Sequence, residues 1–149
     1  MNGYIGAVIM AILLYGFGGS GYIYPLVVFF ITSSILSHFK KDNIKIKKSN
    51  RNIFQVYANG GVALFICIIN HFYYHDLMYP CFLASIAAAN SDTWGTELGK
   101  ISNKTPIDII SGHELAPGTS GGITLVGTIG SILGSLVIGL VGHFFYISF

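Results

Sequence analysis

Stretches of about 20 residues without a charged side chain run through this chain, and that constrains its fold more than any motif does. A backbone in hydrocarbon must satisfy its own N–H and C=O groups, which for apolar runs of this length means helices. Only 9% of the 149 residues are charged and 52% are hydrophobic, with mean hydropathy +0.65, where a soluble domain has about a quarter of its residues charged. Apolar segments fall at 3–17, 22–38, 54–72, 77–91 and 123–149, the first and fourth short for a full span. The expected fold class is all-α: one integral-membrane domain over 1–149, a polytopic bundle of about five transmembrane helices. No basic residue precedes the first segment, so it is expected to stay in the mature protein rather than act as a signal peptide.

The cations set an expected topology. Lys40, Lys41, Lys45, Lys47, Lys48 and Arg51 lie between the second and third segments, and Lys100 and Lys104 between the fourth and fifth. Both loops are therefore expected in the cytoplasm, with the N-terminus; five spans put the C-terminus outside. A basic run beside a span reads first as a topology signal that touches anionic headgroups, and no nucleic-acid partner is expected. Cys67 and Cys81 fall within apolar segments without paired spacing and read as packing residues. Gly130 and Gly134 have the small-xxx-small spacing that brings helix backbones together.

Polar residues gather in three clusters expected on the cytoplasmic side. In the first, Arg51 precedes Gln55 and Asn59, whose four-residue spacing puts two amides on one helix face to orient a substrate; interhelical hydrogen bonding explains the pair about as well. The second, at 90–100, holds Asp92, Glu97 and Lys100. An ionisable group at membrane depth is expensive and reads as functional by default. Two carboxylates among hydroxyls suit Mg²⁺, which arrives with substrate phosphates. They are five positions apart, so they converge only if the helix ends or kinks near Gly95; the bland alternative pairs Asp92 with Lys100 or Arg51. The third, Gly118, Thr119, Ser120, Gly121 and Gly122, opens onto the last apolar segment, a pattern of glycine backbone donors and hydroxyls that suits an anion at a helix N-terminus.

Together with Lys104 these are the parts of a phosphoryl-transfer site, where catalysis is mostly positioning and charge neutralisation. Ser-Asp-Thr-Trp-Gly-Thr-Glu-Leu-Gly-Lys at 91–100, Lys104-Thr105, Pro117-Gly118-Thr119-Ser120-Gly121-Gly122 and Leu125-Val126-Gly127-Thr128 resemble, in order and spacing, the transmembrane protein 19 family (domain of unknown function 92), which includes phytyl-phosphate kinases. The resemblance implies phosphorylation of a phytyl or prenyl monophosphate by CTP or ATP with Mg²⁺. It assigns metal binding to Asp92 and Glu97, phosphates to Lys100 and Lys104, and the anion loop to Gly118, Thr119, Gly121 and Gly122. This chain is shorter than usual members, with fewer helices before the basic loop, and carries Gly95 where alanine or serine is more familiar. A shortened bundle implies either a homo-oligomeric partner to enclose a lipid tail or a degenerate member that retains the motifs without activity. The rival readings are a small transporter or channel using Asp92 and Glu97, and a non-catalytic membrane scaffold.

Overall fold

The computed structural model describes residues 2–43, 53–102 and 104–146. Five helices make up nearly all of it: α1 (Asn2–Gly18), α2 (Ser20–Asn43), α3 (Ile53–Phe72), α4 (Met78–Ile101) and α5 (Leu125–Tyr146). Among the described residues three segments are long and apolar enough to cross a membrane, Ser20–Ser37, Phe54–Phe72 and Leu125–Phe145, and the apolar Ile5–Gly18 is shorter. The all-α membrane bundle expected from hydropathy is what the chain forms.

The helices run alternately up and down, α4 packing against α2, α3 and α5 while α1 lies against α3 and α2. α1 and α2 are joined by Gly19 alone, whose φ of 72° reverses the chain in the left-handed region that a side chain would resist. Met10, Leu14, Leu26, Phe82, Ile86 and Ile138 form the core of the bundle, each at most 1% exposed. Large apolar side chains also face outward, among them Ile12, Phe65, Leu125 and Leu140. In water that would be a liability; in lipid it is the expected surface.

Two local devices tie the helices together. Pro25 lies inside α2 and has no N–H for the carbonyl of Gly21. The hydroxyl of Tyr79 from α4 lies 3.1 Å from that carbonyl and 3.3 Å from the carbonyl of Gly142 in α5, so one proton serves three helices. The second is a seam of glycines between α4 and α5. A Cβ on Gly127 would stand 2.9 Å from the carbonyl of Gly95, one on Gly130 3.1 Å from that of Trp94, and one on Gly134 3.1 Å from that of Asn90. The small-xxx-small pair thus packs as its spacing suggested, and Gly95 lets Ser131 and Gly127 come close. Gly139 stands in open space and takes no part.

The turn from α4 to α5 is shaped by a two-stranded antiparallel ribbon. β1 (Ile107–Asp108) pairs with β2 (Gly122–Ile123), Ile107 opposite Ile123 and Asp108 opposite Gly122. Ile123 is therefore a strand residue, not the first residue of the last span.

Candidate functional site at the lysine-bearing end of the bundle

The C-terminus of α4, the N-termini of α3 and α5, and the ribbon loop all belong to one end of the bundle. α4 sets the frame. Hydropathy suggested that this helix stops near Ser91, but it continues for ten more residues and carries the polar cluster 91–100 on regular helix. Its hydroxyls fold back onto it: Thr93 donates to the carbonyl of Ala89 at 2.9 Å and Ser102 to that of Gly99 at 2.7 Å.

Because α4 runs through Gly95 without interruption, the kink that would bring Asp92 and Glu97 together is absent. Five positions at 3.6 residues per turn separate them by about 140° around the axis. Asp92 lies on the outward stripe with Cys81, Ala84, Ala88 and Thr96, all exposed. Glu97 continues the inward stripe of Phe82, Ile86, Asn90 and Thr93; it is half-buried and its Oε2 is shielded from solvent. Among the described residues no group of three or more His, Cys, Asp and Glu side chains gathers in a way that could hold a metal ion.

Lys100 is exposed in the last turn of α4, where the helix dipole favours a cation. Lys104 follows, exposed, its N–H directed at Ser102 Oγ 3.4 Å away. Gln55 is exposed and Asn59 half-buried, both in the first two turns of α3 at this same end. Arg51 lies outside the described residues.

The glycine loop is ordered by its own hydrogen bonds. Gly118 and Gly121 have φ of 91° and 85°, values that favour glycine. Between them the chain makes successive turns, Thr119 N–H donating to Ala116 at 3.1 Å and Gly122 N–H to Thr119 at 3.3 Å. These two donors are thus spent internally. An anion would use the N–H groups of Gly118, Ser120 and Gly121 and the hydroxyls of Thr119 and Ser120, all on exposed residues. Gly122 packs tightly, a Cβ there standing 3.0 Å from Pro106 Cβ.

The helix N-terminus itself already has a side-chain cap. Thr124 Oγ1 accepts from Gly127 N–H at 3.0 Å, an N-cap bond that the sequence did not single out. Gly99 sits against Thr124, so the two feet of the loop stand side by side. Opposite the chain reversal, Asp108 accepts from Ile110 N–H at 2.9 Å and Ser111 Oγ at 3.0 Å. These bonds hold its carboxyl below the usual carboxylate range.

Asn90 opens the second cluster, although its sequence context assigned it no role. It is fully buried, accepts from Ser33 Oγ of α2 at 3.4 Å and donates to the carbonyl of Gly134 in α5 at 2.7 Å. Beside it Trp94 Nε1 donates to Thr32 Oγ1 at 3.3 Å. The available signal was an amide directly after Ala87-Ala88-Ala89, where a polar group must find partners within the bundle.

The profile of the integral membrane protein DUF92 family matches residues 1–149. The chain belongs to that family. The match covers the first two helices as well as the 51–128 region whose motifs carried the resemblance. Uncharacterized membrane protein MJ0933 of Methanocaldococcus jannaschii is 35% identical over 148 residues, covering 97% of this chain and 62% of that protein. Protein PGR of Arabidopsis thaliana is 27% identical over 135 residues, covering 77% of this chain and 47% of its own length. The chain thus spans about half to three fifths of these relatives. No solved structure matches it. As a DUF92 protein it is an integral, multi-pass membrane protein.

Proposed function

We propose that this DUF92 protein is a membrane-embedded phosphotransferase that moves a phosphoryl group from CTP or ATP to an isoprenoid monophosphate such as phytyl or prenyl phosphate. One observation carries the reading: the inward-turned Glu97, Lys100, Lys104 and the glycine loop 118–122 belong to the same end of the bundle. That combination offers what phosphoryl transfer needs, a carboxylate for a phosphate-bound cation and separate donors for phosphate oxygens. Positive-inside bias favours the cytoplasm for this end, where nucleotide is available.

In this reading a phosphate oxygen of the lipid attacks the γ-phosphorus, the bond from that phosphorus to the bridging oxygen breaks, and the nucleoside diphosphate leaves with the electron pair. Lys100 and Lys104 draw the phosphates to the helix end, and the Gly118, Ser120 and Gly121 N–H groups with Thr119 and Ser120 hold the transferred group's oxygens. Gln55 and Asn59, with Arg51, orient the lipid head. Mg²⁺, when bound, neutralises phosphate charge, and Glu97 is the carboxylate that fits it within one copy. Asp92 joins the site where a second copy packs on the outward face of α4.

Nucleotide binding tests the reading. Purified protein in detergent is expected to bind CTP or ATP only with Mg²⁺, and Lys100→Ala to weaken binding about tenfold. Binding of neither nucleotide by folded protein contradicts it.

A further inference from the structure

At the opposite end of the bundle the chain forms a cavity of about 520 Å³, a volume within the range of small-molecule sites. Its walls are aromatic: Tyr22 from α2, Tyr79 from α4, Phe145 from α5 and Tyr74 from the α3–α4 turn. Asn70 and Asp76 supply the main polar edges. The phosphotransfer reading uses none of them.

All eight Lys and Arg fall within 40–51 or 100–104 of the sequence, whereas Asp76 lines the cavity. Tyr74 OH donates to Asp76 Oδ1 at 2.9 Å and fixes the carboxylate at the rim. His75 is tied into the turn, its Nδ1 accepting the Leu77 backbone N–H at 3.2 Å. The aromatic walls are held in place: Tyr22 and Tyr79 meet edge to face with centroids 5.1 Å apart, Asn70 Nδ2 donates to Tyr22 OH at 2.7 Å, and Tyr79 OH is bound to Gly21 and Gly142.

Aromatic residues at a helix end commonly mark the membrane interface, so the aromatic enrichment by itself needs no ligand. A half-open cavity lined by three aromatic helical side chains and a hydrogen-bonded carboxylate is a more specific arrangement. Aromatic rings and a carboxylate together attract an organic cation. A phosphate or carboxylate ligand would meet Asp76 with like charge.

We infer that this cavity is a second binding site, specific for an ammonium group, primary or quaternary, presented either by a phospholipid headgroup or by a small soluble amine.

The test uses the intact protein in nanodiscs. Thermal stability is read in discs of phosphatidylglycerol alone, the same discs with added choline or ethanolamine, and discs containing phosphatidylcholine or phosphatidylethanolamine. Stabilisation by the soluble amine identifies a free amine as ligand; stabilisation only by the ammonium lipids identifies a headgroup. In either case Asp76→Asn removes the stabilisation while keeping the wild-type helix content, and Lys100→Ala at the far end leaves it unchanged. If neither source stabilises the wild type, or if Asp76→Asn responds as the wild type does, the inference is wrong. Nucleotide binding at the lysine-bearing end is measured separately, so either site can fail alone.

Discussion

Asn90 and Gly134 are joined by a 2.7 Å hydrogen bond from a fully buried side-chain amide to a helix carbonyl, at the point where α2, α4 and α5 meet. The glycine makes the bond possible, since a Cβ at 134 would stand 3.0 Å from the Trp94 ring. The same amide takes the Ser33 hydroxyl, so one side chain fixes the rotation of α4 and with it the face that Glu97 presents.

Replacing Asn90 with Leu therefore removes two interhelical bonds and leaves a buried hydroxyl without its acceptor. Interhelical hydrogen bonds in membranes average about 0.6 kcal/mol, and an orphaned polar group costs about 1–3 kcal/mol. We expect a loss of about 1–3 kcal/mol, read as a lower thermal midpoint in detergent. An unchanged midpoint would mean that the seam alone holds α4.

Pro25 and Tyr79 should be energetically coupled. The proline removes the N–H that Gly21 would otherwise receive, and the Tyr79 hydroxyl reaches that carbonyl instead. Tyr79→Phe is expected to cost about 1 kcal/mol in the wild type. In a Pro25→Ala background, where the helix supplies its own N–H, the cost should fall by about half a kcal/mol or more. A double-mutant cycle on unfolding midpoints measures this, and strict additivity would show that the hydroxyl serves only Gly142.

Much of this fold was legible in the chain because hydropathy marks where backbone meets lipid. The apolar segments 3–17, 22–38 and 54–72 each fall inside a helix. Hydropathy failed at 91–101, where Ser91, Asp92, Thr93, Glu97 and Lys100 resemble the end of a span although the helix continues. Hydropathy measures transfer to lipid, whereas helix continuity here is supported by close packing on α5. Two glycines at 95 and 99 weaken a helix by about 1 kcal/mol each in isolation. Against Gly127 and Thr124 they allow close packing that a larger side chain would obstruct.

The candidate site was legible as a set of residue types and less so as geometry. The sequence could state the condition for Asp92 and Glu97 to converge but not whether the helix would kink. It could not reveal the ribbon either: strands of two residues carry no periodicity, and the pairing of Ile107 with Ile123 joins positions 16 apart.

Asp108 gives a prediction about pH. Hydrogen bonds from Ile110 N–H and Ser111 Oγ favour its ionised form, so its folded value lies below the ordinary value of about 3.9. A carboxyl depressed on folding contributes stability that is fully present above the unfolded value and is lost as pH falls through the folded one. Carbon-detected NMR of labelled aspartate should therefore find Asp108 titrating below the ordinary range, and Ser111→Ala should raise its midpoint. A midpoint at or above the ordinary value contradicts the turn geometry.

Phosphate transfer at the lysine-bearing end, as proposed, is tested by movement of labelled γ-phosphate from CTP or ATP to phytyl or geranylgeranyl monophosphate by purified protein with Mg²⁺. Diphosphate product is expected from wild type, with a loss on the order of a hundredfold in Glu97→Gln at unchanged thermal midpoint. No product with either nucleotide from folded protein beside an active control, or full activity in Glu97→Gln, would contradict it.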